Sequence, residues 1–136
     1  MLALPEGYVP FHRSGPFLDL VGPLYERLDG DSLLLGLRVE DRHCNRRGFV
    51  HGGLLVTLAD LVLGYNLVRR GGNGGGITVN LSTDFAGSAR PGDWLEARAD
   101  VQKASGSVAF ANCYICVGER RIVRASGIFH IPAPRS

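Results

Sequence analysis

From Gly52 to Arg70 the chain runs for nineteen residues without a proline, dominated by leucine, valine and alanine, with Asp60 as its one carboxylate. The run is too long for a strand and holds no internal breaker, so it reads as the main helix. Arg69 and Arg70 suit the negative end of its dipole, and the glycine-rich stretch Gly71 to Gly76 ends it. A helix apolar on nearly every side has to be enclosed rather than laid on a surface. The rest of the chain must therefore supply the enclosure.

Strands are the candidates for that task. Asp31 to Glu40, with Leu33, Leu34, Leu35, Leu37 and Val39, reads as a first strand buried in part on both faces. Four more follow the helix: Ile77 to Phe85, Trp94 to Lys103, Ser107 to Val117 and Arg120 to Ile131. Leu95, Ala97, Ala99 and Val101 alternate with Glu96, Arg98, Asp100 and Gln102, which is the period of a half-buried strand. Pro91-Gly92-Asp93 and Gly118-Glu119 mark turns. The helix is ~28 Å long and a strand of about ten residues spans ~33 Å, so one sheet can wrap the whole helix. The expected fold is α+β: a curved antiparallel sheet of five or six strands around a long central helix, ordered strand, helix, then a four-stranded meander. Residues 1–16, with Pro5, Gly7, Pro10, Gly15 and Pro16, read as an irregular lead-in. Phe17 to Arg27 reads as a short helix broken near Gly22-Pro23.

At 136 residues the chain fits one domain spanning 1–136, since two halves would each be too small for a core. Hydrophobic and charged fractions of 45% and 21% are those of an ordinary globular protein, which excludes disorder. A net charge of +2 and the lack of a basic run interleaved with aromatics argue against a nucleic-acid partner. The basic residues are lopsided, 14 Arg against the single Lys103; Arg suits phosphate, and genome composition produces the same bias. Cys44, Cys113 and Cys116 cannot all pair within one chain, which points to a reducing compartment. Cys113 and Cys116 lie three apart in a strand-like run, on opposite faces, and read as packing residues. The N-terminus has no basic region followed by an apolar core, and no apolar stretch is long enough to make a membrane partner the expectation. The expected residence is the cytoplasm.

Chemistry is concentrated around the helix start. Gly53, Thr57, Asp60 and Gly64 fall at i, i+4, i+7 and i+11, a small, polar stripe on one face. Such a stripe serves equally as a groove for a close-packed neighbour or as a site, but an ionised carboxylate is costly to bury unless it is paired or used. The first N–H groups of a helix lack internal partners and carry the positive dipole end. Glycine at 52 and 53 lets a carbonyl oxygen approach them, as a thioester or ester under attack requires. His51 can be a helix cap and Asn45 an Asx-turn residue; beside the glycines and Asp60 both also become site candidates. Other templates fail. There is no Gly-x-Ser-x-Gly, the glycine run follows a helix rather than a strand and lacks dinucleotide spacing, and Lys103 follows Gln102 rather than a P-loop glycine. His12, His43, His51 and His130 show no ligand spacing, so neither a metal nor a cofactor is expected.

Asn45-x-x-Gly48-x-x-His51-Gly52-Gly53, Asp60 nine positions after the histidine, Asp84-Phe85 and Ala89-Arg90-Pro91-Gly92-Asp93 together resemble the hotdog-fold acyl-CoA thioesterases, in the branch of the phenylacetate-pathway thioesterase. The resemblance covers nearly the whole chain. It implies a hotdog fold and hydrolysis of an acyl-CoA, with an aromatic or medium-chain acyl group, to free coenzyme A and a carboxylic acid. The Gly52 N–H would bind the thioester oxygen, His51 and Asn45 would shape and polarise that pocket, and Asp60 would be nucleophile or general base. It further implies that Thr78 helps place water or the carboxylate, that Gly53 lines the substrate site, that Lys103 with the Ser105-Gly106 turn touches coenzyme A phosphates, and that dimers pair into tetramers.

One length decides how such a site is assembled. Gly52 and Asp60 are eight positions apart, which on one helix is ~12 Å along the axis, whereas a reacting atom must lie within about 3 Å of both. The expectation is a homodimer with shared sites: Asn45, His51 and Gly52 from one chain, Asp60 from the other. Two rival functions remain open: a hotdog hydratase or dehydratase acting on enoyl or hydroxyacyl thioesters, and a non-catalytic acyl-CoA-binding protein. The His51-Gly52-Gly53 run with Asp60 fits hydrolysis better than either.

Overall fold

The computed structural model describes residues 2–70 and 76–132. A seven-stranded, wholly antiparallel sheet carries one long helix on its concave face. The elements in chain order are β1 (Val9–Pro10), α1 (Pro16–Val21), β2 (Tyr25–Asp29), β3 (Ser32–Arg38), a 3-10 turn at Asp41–His43, α2 (Gly52–Arg69), β4 (Ile77–Phe85), β5 (Trp94–Lys103), β6 (Val108–Val117) and β7 (Arg120–His130). The α+β hotdog architecture is as expected, with more strands than the five or six anticipated.

Three local expectations are corrected. The stretch from Phe17 to Arg27 is not one broken helix: α1 ends at Val21, and Tyr25–Asp29 is a strand that forms a hairpin with β3 through Gly30, whose φ is +60°. Residues 1–16 are mostly irregular but contribute β1, which pairs with β2, and Tyr8, which is buried. The last four strands are not a simple meander, because the order across the sheet is β1-β2-β3-β5-β6-β7-β4. α2 carries the chain across the concave face, which sets β4 on the far edge beyond β7; β5 then returns to pair with β3. Most of the glycine run expected to end α2, residues 71–75, lies outside the described residues.

The core forms where the strand alternation meets the helix. Leu95 and Ala97 of β5, Ala109, Ala111, Cys113 and Ile115 of β6, and Ala125 and Phe129 of β7 face inward against Leu55, Leu58, Ala59, Val62, Leu63 and Leu67 of α2. Small residues on the strands leave room for a helix of large ones. Asn66, buried in this contact, accepts from the Leu33 N–H at 2.9 Å and donates to the Leu33 carbonyl at 2.9 Å and the Val62 carbonyl at 2.8 Å, fastening α2 to β3. Cys113 is buried, and burial pushes its thiol up to about 12; Cys116, on the opposite face, is half-buried.

On the outer face, Gly36 of β3 makes space for Trp94, since a Cβ there would come within 2.1 Å of the indole. Tyr8 packs edge-on against that ring at 4.9 Å and donates to Glu96 at 2.7 Å. This explains why β3 is buried on both faces.

Enclosure of the helix is incomplete within one chain. By length and composition α2 is apolar enough to cross a membrane, yet here its buried stripe lies on the sheet. Its other side, with Gly53, Thr57, Asp60 and Gly64, is exposed or half-buried. At the far edge, β4 offers nine residues whose outer edge has no strand neighbour among the described residues, with Ile77 at 61%, Val79 at 64% and Phe85 at 54% exposure. A long apolar edge strand of that kind is a template for pairing with another chain.

Candidate active site

The loop from Cys44 to His51 is shaped by its own polar groups. The Asn45 side-chain oxygen accepts from the N–H groups of Arg47 at 2.9 Å and Phe49 at 3.2 Å, closing an Asx turn, and Gly48 completes the bend with φ +86°. Cys44 and Val50 form an isolated bridge, and the His51 N–H donates to the His43 carbonyl at 2.9 Å. The chain thereby enters α2 in a fixed direction.

His51 is the N-cap of α2. Its Nδ1 accepts from the Gly53 N–H at 2.8 Å, so the neutral ring carries its proton on Nε2. The N–H groups of Leu54 and Leu55 both donate to the His51 carbonyl, at 3.0 and 3.3 Å. Of the four N–H groups that open the helix, three are therefore satisfied. Gly52 alone donates to no acceptor among the described residues. A Cβ at Gly52 would meet only the Phe85 ring, at 3.5 Å, so the end of β4 forms one wall beside this N–H.

Asp60 lies two helical turns on. Its Oδ1 accepts from the Thr78 hydroxyl at 2.7 Å. A bulge between Thr78 and Asn80 makes that contact: it reverses the strand's phase, so Thr78, opposite buried Phe129, faces the helix. Thr57, between the two groups, is occupied locally, its hydroxyl donating to the Gly53 carbonyl at 2.9 Å. Among the described residues no three His, Cys, Asp or Glu gather as a group able to hold a metal ion.

The residues singled out in the sequence thus separate into two clusters. Asn45, His51, Gly52 and Gly53 gather with Phe85 at one end of the sheet. Asp60 and Thr78 sit toward the other, where Ile77, His130 and Val108 lie in register. Lys103, Ser105 and Gly106 belong to that second end: Lys103 closes β5, Ser105 and Gly106 lie in the turn to β6, with Gly106 at φ +79°, and the Ser107 carbonyl accepts from the Ile131 N–H at 2.8 Å. The structure does not bring Lys103 to Gly52 within one chain. Sequence reading missed Phe85 as a wall beside Gly52 and missed that α1 borders the site, its Phe17 and Leu20 lining a groove that reaches His51 and Gly53. An apolar pair spaced i, i+3 between Pro16 and Gly22 was the signal available for the second.

Residues 47–123 match the Thioesterase superfamily. Over 134 residues, 97% of this chain and 100% of the relative, the chain is 46% identical to a Pseudomonas aeruginosa protein named "Putative esterase". It is 28% identical over 82 residues to acyl-coenzyme A thioesterase 13 of Mus musculus, covering 60% of this chain and 59% of that one. Among solved structures, a point mutant of the phenylacetic acid degradation protein PaaI from Thermus thermophilus superposes with a TM-score of 0.73 at 22% identity, over 85% of this chain and 99% of the other. With an unspent N–H at the start of α2, a half-buried aspartate on the same helix and a hotdog sheet wrapped on one side of it, the chain belongs to the Thioesterase superfamily.

Proposed function

We propose that the protein hydrolyses an acyl-coenzyme A thioester at a site shared between two copies of the chain. The observation that carries this reading is the Gly52 N–H, left without an acceptor among the described residues while its three successors are satisfied. A preorganised donor at the positive end of a helix stabilises the negative charge that grows on a carbonyl oxygen under attack. The His51 Nε2–H and the Asn45 amide, whose oxygen is spent in its own turn, supply further donors on the same side. Asp60, steadied by Thr78, acts on the acyl carbon, either taking a proton from the attacking water or attacking directly to give an anhydride that water then opens. By either route the carbon–sulfur bond breaks and coenzyme A leaves as its thiol.

Gly52 and Asp60 lie on one continuous helix, ~12 Å apart along its axis, so one chain cannot apply both to the same carbonyl. The aspartate comes from a second copy, and the open edge of β4, which ends beside Gly52 and begins beside Asp60, is the seam that supplies it. Dimers pair further into tetramers. Lys103, with the Ser105-Gly106 turn, meets the phosphates of coenzyme A. The whole chain, 1–136, works as one catalytic domain in the cytoplasm, without a nucleic-acid or membrane partner.

Gly52→Pro tests the central group without disturbing the fold. Proline is tolerated at the first helical position, His51 already has the extended backbone that must precede it (φ −66°, ψ 134°), and the lost N–H had no partner. Thiol release from acyl-CoA should fall about 10²- to 10³-fold with the melting temperature kept. Gly52→Ala, which keeps the N–H and places a Cβ at ordinary contact with Phe85, should lose far less. Equal activity in the two variants would refute the assignment.

A further inference from the structure

Phe17 and Leu20 are 57% and 71% exposed, on a six-residue helix with no buried residue. Exposure of two large apolar side chains on so small an element needs a reason, the more so because α1 is held firmly. Arg42 donates to the Leu20 carbonyl, and His43 Nε2–H donates to the Val21 carbonyl at 2.7 Å. The other nitrogen of His43 accepts from the Glu40 N–H at 2.9 Å, which fixes the proton on Nε2. The His43 carbonyl in turn accepts from the N–H of His51. One short run, residues 40–43, therefore fixes α1 and the cap of α2 relative to each other.

Between the two helices lies a groove of about 410 Å³, lined by Phe17 and Leu20 from α1 and by His51, Gly53, Leu54 and Thr57 from the start of α2. It reaches the residues on either side of Gly52. Its polar groups are largely spent: Thr57 on the Gly53 carbonyl, His43 on Val21, and Arg42 on Leu20 and, at 3.3 Å, on Glu40. Burial and the nearby Asp41 raise the Cys44 thiol above its ordinary value, so it stays neutral. The groove offers apolar surface next to the N–H that receives the carbonyl, with no uncompensated positive charge for a second carboxylate.

We propose that Phe17 and Leu20 of α1 make this groove an apolar acyl subsite, selecting an uncharged acyl group of several carbons over an acetyl-sized one. The inference rests on the thioesterase reading of the same site. At roughly 30 Å³ per heavy atom, the share of a water molecule in the liquid, the groove of about 410 Å³ has room for about fourteen heavy atoms, enough for the roughly nine of a phenylacetyl or octanoyl group.

The test measures thiol release from acetyl-, phenylacetyl- and octanoyl-CoA by the full-length protein and two variants. In Phe17→Ala/Leu20→Ala, the ratio of kcat/KM for the two large substrates to that for acetyl-CoA should fall tenfold or more, chiefly through KM, because contacts remote from the reacting carbon bind ground and transition states alike. Leu20→Trp, which narrows the groove, should lower the octanoyl-to-acetyl ratio as well. Ratios unmoved in both folded variants would overturn the subsite while leaving the hydrolase standing. A parent protein that favours a carboxylated acyl-CoA such as succinyl-CoA would overturn it too. Absence of acyl-CoA turnover by the parent, or turnover indifferent to Gly52→Pro, would instead sink the thioesterase reading itself.

Discussion

The two ends of the proposed site are built on opposite plans. At the Gly52 end nearly every polar group is satisfied within a dozen residues: Asn45 by its own loop, the Gly53 N–H by His51, His51 by His43. What is left over is the Gly52 backbone N–H, together with the His51 Nε2–H and the Asn45 side-chain N–H groups. At the Asp60 end a single hydrogen bond among the described residues, from Thr78, holds the carboxylate, and the strand that provides it has no neighbour on its outer edge among those residues. One half is preorganised by local structure. In the proposed dimer the other is finished from outside the chain, across the same open edge that leaves α2 incompletely enclosed.

The largest effect should come from blocking that edge. Val79, 64% exposed at the bulge of β4, replaced by Asp places a charge where the seam would close. Val79→Asp should elute as a folded monomer, by light scattering and circular dichroism, with turnover down at least about a hundredfold through loss of the partner's carboxylate. A fully active monomer would erase the distinction between the two ends.

The preorganised end should respond more gently. His51→Ala removes the cap on Gly53 and one donor beside Gly52, costing about 1 kcal/mol of stability by thermal melting and about tenfold or more in kcat. If stability falls and kcat does not, His51 is a cap only. The smallest effect should lie outside both halves, at Glu96. Burial there raises the carboxyl's pKa, but hydrogen bonds from Tyr8 and Arg98 and the charges of Arg98 and Arg27 outweigh it and hold the group below its ordinary 4.5. A lowered folded-state pKa contributes stability that is present above about pH 4.5 and lost as pH falls through the lower folded value. Glu96→Gln should therefore flatten the acid limb of the stability curve by at most about 1 kcal/mol, as followed by urea unfolding from pH 6 to pH 3.

Much of this could be read in the chain before folding was considered. The length and apolarity of α2 and the alternation in β5 each express a local physical requirement, and each led to the right element, while the Asn45-to-Asp60 spacing led to the family. The two-cluster division was legible as well, because the rise of a helix is fixed and eight positions cannot be bridged. What escaped was decided by distant contacts. Tyr25-Glu-Arg-Leu-Asp29 has no clean apolar alternation and becomes a strand by pairing with β3. Tyr8 is buried because Gly36 and Trp94, far along the chain, leave a place for it. The position of β4 at the far edge follows from the path of α2 across the sheet, and strand-like sequence carries no record of that path. The groove beside α1 escaped for the same reason: its two walls are more than thirty residues apart in the chain.

The central claim is that Gly52 and Asp60 act on one carbonyl only from different chains. Gly52→Pro and Asp60→Asn proteins, each nearly inactive alone, are mixed, unfolded and refolded together, and chain exchange is verified by mass. Hybrid dimers hold one site with both mutations and one with neither, so the mixture should recover about a quarter of the parent's thiol release from acyl-CoA, half the dimers being hybrid and half their sites intact. Proven exchange with no recovery above the separate variants would contradict a shared site.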